Sequence, residues 1–90
     1  MEFEWDEGKD AANHAKHGVS LGDVVLLDWT AVLDEIDVRT DYNELRFRSL
    51  IPMSGRVYFC AYTIRNGVHR IISLRKANAR EVMRYEQTKT

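Results

Sequence analysis

Hydrophobic periodicity divides the chain near Trp29. Before it, Phe3 and Trp5 alternate with acidic residues, the period of two of a short strand. Asp6 offers a helix cap and Gly18, after His17, a left-handed stop. A helix is expected between them, with Ala11, Ala12 and Ala15 as its small apolar face. Ser20 and Asp23 have capping-box spacing, which predicts a second short helix carrying Val24, Val25 and Leu27.

After Trp29 the period is that of strands. Residues 31–36 read as one strand, followed by a polar loop over 37–44. In residues 45–51, Leu45, Phe47, Ser49 and Ile51 alternate with Arg46, Arg48 and Leu50, and Pro52 is expected to end the strand. Ser54-Gly55 turns the chain into 56–65, apolar on both faces as a central strand should be. Asn66-Gly67 predicts a type I′ hairpin into 68–75. Asn78 with Glu81 then has capping-box spacing and opens a last helix carrying Val82 and Tyr85. The expected order is β-α-α-β-β-β-β-α, an α+β domain with a mainly antiparallel sheet.

Ninety residues hold one domain with a thin core. Cys60 is the only cysteine, which excludes an internal disulfide and fits a reducing compartment. The acidic start "MEFEWDEGKD" is unlike a secretion signal, and no apolar run is long enough for a bilayer. A soluble cytoplasmic protein with no membrane role is therefore expected.

Charge changes the picture. Residues 1–64 carry six Lys and Arg against twelve Asp and Glu, whereas residues 65–90 carry seven against two. A basic third on an otherwise acidic chain can attract a phosphate backbone, although charge runs are commonly solvated helix faces. An unbroken hairpin register would oppose Thr63 to Arg70, Cys60 to Ser73 and Tyr58 to Arg75. Phe59, Ala61, Ile72 and Leu74 would then lie under the helices. The other face would carry Tyr58, Cys60, Tyr62, His69, Ile71, Ser73 and Arg75, an aromatic and cationic surface suited to bases and phosphates.

Competing constellations are weaker. Asp10, His14 and His17 share one helix face without forming an established metal motif, and His17 suits a helix C-terminus as a cation. No metal or cofactor is expected. Cys60 reads as a packed residue, Trp5 and Trp29 as core anchors, and Glu81 as a cap partner before a general base.

The segments "FEWDEGKDAANHAKHGVS", "RTDYNELRF" and "YTIRNGVHRIISLRKANAREVMRYE" resemble the BrnT toxin family from Phe3 to Glu86. The most specific pieces are Lys16-His17-Gly18-Val19, Asp41-Tyr42 with Arg46-Phe47, and Ile71-Ile72-Ser73 followed by Arg75 and Glu81. The chain departs from the family in having Asp28-Trp29 for Asp-Pro and Asn78 for a common Thr. The resemblance implies a RelE-like fold and a ribonuclease toxin that cleaves RNA and inhibits translation. It also implies a BrnA-type ribbon-helix-helix antitoxin, a two-plus-two complex, and operator DNA bound only through the antitoxin. A non-catalytic binding module acting as corepressor is the alternative.

Metal-independent RNA cleavage uses the ribose 2′-hydroxyl as nucleophile, so the protein must supply cations for the phosphorane and groups that move protons. Arg65, Arg75, Arg80 and Tyr85 are the expected catalytic residues. Lys16, His17, Tyr62, His69, Arg70, Ser73 and Arg84 are expected to bind substrate. Tyr85, Glu81, His69 and His17 are the available proton shuttles, and the sequence does not choose among them.

Overall fold

The computed structural model describes residues 1–38 and 43–89; Asp41-Tyr42 of the polar loop lies outside them. Its elements are β1 (Phe3–Trp5), α1 (Glu7–His17), 3-10 segments at Leu21–Leu26 and Trp29–Ala31, β2 (Leu33–Ile36), β3 (Arg46–Met53), β4 (Arg56–Arg65), β5 (Val68–Lys76) and α2 (Ala79–Lys89). The strands form one sheet in the order β1-β5-β4-β3-β2. The class is α+β, and the sheet is mixed: β1 runs parallel to β5 and the other pairs are antiparallel. No helix among the described residues is long and apolar enough to cross a membrane.

The ends of α1 follow from its sequence. Asp6 Oδ2 accepts from the Lys9 amide at 2.9 Å, and the Gly18 amide donates to His14 O at 2.8 Å with φ of 75°. A Cβ at Gly18 would meet no atom within 4 Å, so substitution strains only the backbone. Gly18→Ala is expected to cost about 1 kcal/mol, seen as a lower urea midpoint at unchanged m. An unchanged midpoint would show that the left-handed end is not needed.

The second helix departs from expectation. Ser20 makes no side-chain cap, and the segment winds as a 3-10 helix. Its cap is tertiary: Asp10 Oδ1, on α1, accepts from the Leu21 amide at 2.7 Å. A second 3-10 turn at Trp29–Ala31 takes Ala31, the residue expected to begin β2, which starts at Leu33. Pro52 also does not end β3. Its carbonyl accepts from the Asp28 amide at 2.9 Å, so its backbone faces away from β4 and no ladder bond is lost.

The Asn66-Gly67 turn has φ values of 53° and 79°, as a type I′ hairpin requires. The register starts as expected, with Arg65 opposite Val68 and Thr63 opposite Arg70, but then slips. Tyr62 opposes Ile71 and Ala61 opposes Ser73, so Ile72 is the extra residue of a β-bulge. Beyond it Cys60 opposes Leu74, Phe59 opposes Arg75 and Tyr58 opposes Lys76. The expected Cys60–Ser73 and Tyr58–Arg75 pairings are thus overturned. Leu74 joins Tyr58, Cys60, Tyr62 and Ile71 on one face, whereas Ser73 and Arg75 join Phe59 and Ala61 on the other.

Each face has its own core. Leu21, Val24 and Leu27 pack on Ile51, Tyr58, Cys60, Tyr62, Ile71 and Leu74, with Trp5 and Trp29 against the rim. Trp29 Nε1 donates to Val24 O at 2.9 Å, which holds the partly buried ring against that core. On the second face Leu50, Phe59 and Tyr85 form a smaller cluster under α2. The alanines of α1 are exposed, contrary to expectation, and its buried residue is Asn13.

Candidate functional site

The bulge at Ile72 decides where the charge goes. By turning Arg75 onto the second face it places the guanidinium carbon 4.2 Å from the Phe59 ring centroid, and Arg48 reaches the same ring at 5.5 Å. Arg48 sits opposite Ala61 in the register, two residues before Leu50, the partner of Phe59. Phe59 is buried, so it serves the arginines as a platform and does not stack a base.

Glu81 fixes Arg75. Arg75 Nη1 and Nη2 donate to Glu81 Oε1 and Oε2 at 2.8 and 3.0 Å, a two-pronged pair. The capping box forms as expected, with the Asn78 amide on Glu81 Oε1 at 2.9 Å and the Glu81 amide on Asn78 Oδ1 at 2.8 Å. One carboxylate therefore joins the end of β5 to the start of α2. The Arg75 fork holds Glu81 below the usual carboxylate range, against burial, which pushes it up; the Asn78 amide and the Arg48 charge add to the lowering. A carboxylate so held is a poor proton acceptor.

Folded Glu81 binds its proton more weakly than it does in the unfolded chain. Its contribution is complete above its ordinary pKa of 4.5 and is lost as pH falls through the lower folded value. Urea unfolding from about pH 5 downward should show a shallower acid loss for Glu81→Gln than for the native chain. Equal slopes would remove Glu81 as the acid-sensitive group.

The other expected residues divide. Arg65 pairs with Glu44 at 3.1 Å at the hairpin tip. Its position on β4 is six residues from Phe59, the partner of Arg75, or roughly 20 Å at the rise of a strand. The two cannot hold one phosphate. Arg70 shares the second face and donates to Glu4 Oε2 at 2.9 Å. Arg84 lies 3.6 Å from Glu35, and Arg80 is exposed in the first turn of α2. Tyr85 is buried, and its hydroxyl donates to Ala31 O at 2.6 Å.

Tyr62 and His69 lie on the opposite face from Arg75. They stack at 4.9 Å within a cluster that includes Phe3, Phe47 and Trp29. Tyr62 and Ser49 both donate to Asp34 Oδ1, and burial followed by this bond pushes the Tyr62 phenol far up. Burial lowers the His69 pKa, partly opposed by Asp34. Burial also pushes the Cys60 thiol far up, which fits the packed role expected of it.

Lys16, His17 and Ser73 do come together. They line a cleft of about 230 Å³ between α1 and β5, with Lys9, Ala12 and Ile72. Asn13 closes its base by bonding to the β5 backbone at Leu74. Ser73 belongs also to the second face, two residues before Arg75, so the cleft reaches the face that carries the arginine platform. Among the residues that the sequence left without a role are Arg48 and Lys9. Alternation of Arg46 and Arg48 with the apolar residues of β3 was the signal for the first; the second had none beyond its spacing from Lys16.

No curated relative matches the chain. A family model does: it covers residues 5–81, from the end of β1 through the bulge and Arg75 to Glu81, and describes the "Ribonuclease toxin, BrnT, of type II toxin-antitoxin system". On that match, which spans most of its length, the chain belongs to the BrnT family of ribonuclease toxins.

Proposed function

We propose that the chain cleaves RNA without a metal ion on the second sheet face, and that this inhibits translation. The carrying observation is the pair of guanidiniums over Phe59, of which Arg48 has its Nε buried without a hydrogen-bond partner among the described residues. An orphaned buried donor beside a second arginine suits an anionic oxygen. Arg48 and Arg75 stabilise the phosphorane as the 2′-hydroxyl attacks phosphorus and the 5′-oxygen leaves, giving a 2′,3′-cyclic phosphate. Glu81 positions Arg75, and Arg80 and Arg84 attract the strand from α2.

Among the four shuttle candidates His17 is the one supported. Glu81 is engaged by Arg75, Tyr85 by Ala31, and His69 lies behind the sheet. His17 lines the cleft that opens onto Ser73, so it takes the 2′-hydroxyl proton from that side, and solvent water protonates the leaving 5′-oxygen. Tyr85 anchors α2, and Arg65 acts outside the site. Membership of a type II toxin–antitoxin family implies an antitoxin protein. We take it to be of the BrnA ribbon-helix-helix type, in a cytoplasmic two-plus-two complex that binds operator DNA through the antitoxin, on a toxin of RelE-like fold.

Purified chain incubated with RNA in excess EDTA is expected to yield cyclic phosphate ends, and expression without antitoxin to arrest growth. Loss of cleavage in chelator, restored by a divalent ion, would overturn the metal-free mechanism. Folded chain that leaves RNA intact under all conditions would favour a non-catalytic corepressor.

A further inference from the structure

Most of the arginines that mark this sequence already have a carboxylate partner. Arg46 and Arg65 meet Glu44, Arg70 meets Glu4, Arg75 meets Glu81 and Arg84 meets Glu35. The lysines of the α1–β5 cleft are different. Neither Lys9 nor Lys16 forms an ion pair among the described residues, and no carboxylate lines the cleft. The exposed Ala12 between them leaves the space open.

Helix electrostatics accounts for only part of this. Lys16 and His17 stand in the last turn of α1, where its dipole favours cations. Lys9 stands near the first turn, where the dipole disfavours them. An unpaired lysine at the wrong end of a helix, turned into a cleft with a second lysine and a serine hydroxyl, is arranged for an anion. At about 230 Å³ the cleft is smaller than sites that enclose a whole drug-sized ligand, and it suits a phosphate with part of its ribose.

We propose that the α1–β5 cleft is a second phosphate subsite, holding the RNA backbone beside the cleaved linkage through Lys9, Lys16 and the Ser73 hydroxyl. It rests on the ribonuclease reading and adds a direction to it. The strand runs from α1 across Ser73 to Arg75 and Arg48, along the second face and not along the hairpin toward Arg65. Because Lys9 and Lys16 are point charges on flexible stems, the subsite contributes affinity and little sequence preference.

The test uses the full chain and a 2′-O-methyl RNA decamer, which binds but cannot be cut. Its anisotropy is followed across a salt series for native chain, Lys9→Ala/Lys16→Ala and Arg65→Ala. Removing one cation from a single-strand phosphate lowers the slope of log K against log salt by about 0.7. The double variant is expected to lose about 1.4 in slope and at least about tenfold in affinity at low salt, with Arg65→Ala close to native. Orthophosphate at matched ionic strength is the second arm. Selective shifts of the Ile72 and Ser73 amides with orthophosphate, and decamer affinity in the double variant equal to native, would mean a free-anion site and overturn the backbone proposal. An unchanged slope in the double variant would also overturn it, as would native chain that does not bind the decamer. Cleavage of unmodified RNA by the native chain is scored separately, so the ribonuclease reading stands or falls on its own.

Discussion

Replacing Arg75 by Ala is expected to lower RNA cleavage at least about a hundredfold, the loss typical of one oriented donor to a transition-state oxyanion. It should also destabilise the fold, because this arginine is not a free surface charge. Its partner Glu81 has a side chain only 9% exposed and would be left ionised without its cation. The cost is set at about 2–3 kcal/mol, below the range for fully buried pairs, since the Arg75 side remains 28% exposed. The two losses are separable. Glu81→Gln keeps an acceptor for the Asn78 amide while removing the stranded charge. The double variant Arg75→Ala/Glu81→Gln should therefore recover most of the stability and none of the activity. Arg75→Lys should restore charge without the two-pronged grip and fall between. Urea unfolding and single-turnover cleavage on the four variants measure both quantities. Native-like cleavage by the double variant would place the phosphate contact elsewhere.

What the sequence showed, and what it hid, differ by kind of interaction. Local signals were legible because their physics is local. Asp6, Gly18, Asn66-Gly67 and the Asn78–Glu81 box each formed the cap or turn that their residue types require. The failures are tertiary. The cap of the first 3-10 segment comes from Asp10, eleven residues earlier, and no spacing rule anticipates it. The bulge at Ile72 was invisible to a count of register from the turn, and it moved Ser73, Leu74 and Arg75 to the faces opposite those expected. A one-residue slip inverts every later side chain. The chemical consequence is large, since Tyr62 and His69 were expected beside Arg75 and stand behind it. The basic C-terminal third was legible as charge, but its pairing with Glu4, Glu35, Glu44 and Glu81 was not, because those carboxylates are mostly distant in sequence.

The other large effect is expected at Asn13, in mid-helix where asparagine is a poor choice on propensity alone. β1 pairs with β5 only as far as Ile71, so beyond the bulge β5 has no strand on that side among the described residues. Asn13 takes the vacant place. Its Nδ2 donates to Leu74 O at 2.8 Å and its Oδ1 accepts from the Leu74 amide at 3.2 Å, the two bonds a strand residue would have made. A third bond, from Nδ2 to Val19 O at 2.9 Å, ties down the chain after α1. Asn13→Ala strands the Leu74 amide and two carbonyls in a largely buried site, which should cost about 3 kcal/mol, a large share of the stability of so small a domain. Asn13→Asp preserves shape and acceptor but sets a carboxylate against both carbonyls. It should be at least as damaging at neutral pH. Such a carboxyl has its folded pKa raised, so relative to native chain at the same pH the variant should regain stability as acid protonates it. A purely steric role for Asn13 predicts no such recovery. Since Asn13 also seats α1 against β5, both variants should widen the cleft between them and weaken RNA binding in proportion to the loss of fold. Unfolding curves at pH 7 and near pH 5 decide the matter: an Asp variant as stable as native chain at pH 7 would show that the amide does not stand in for a strand.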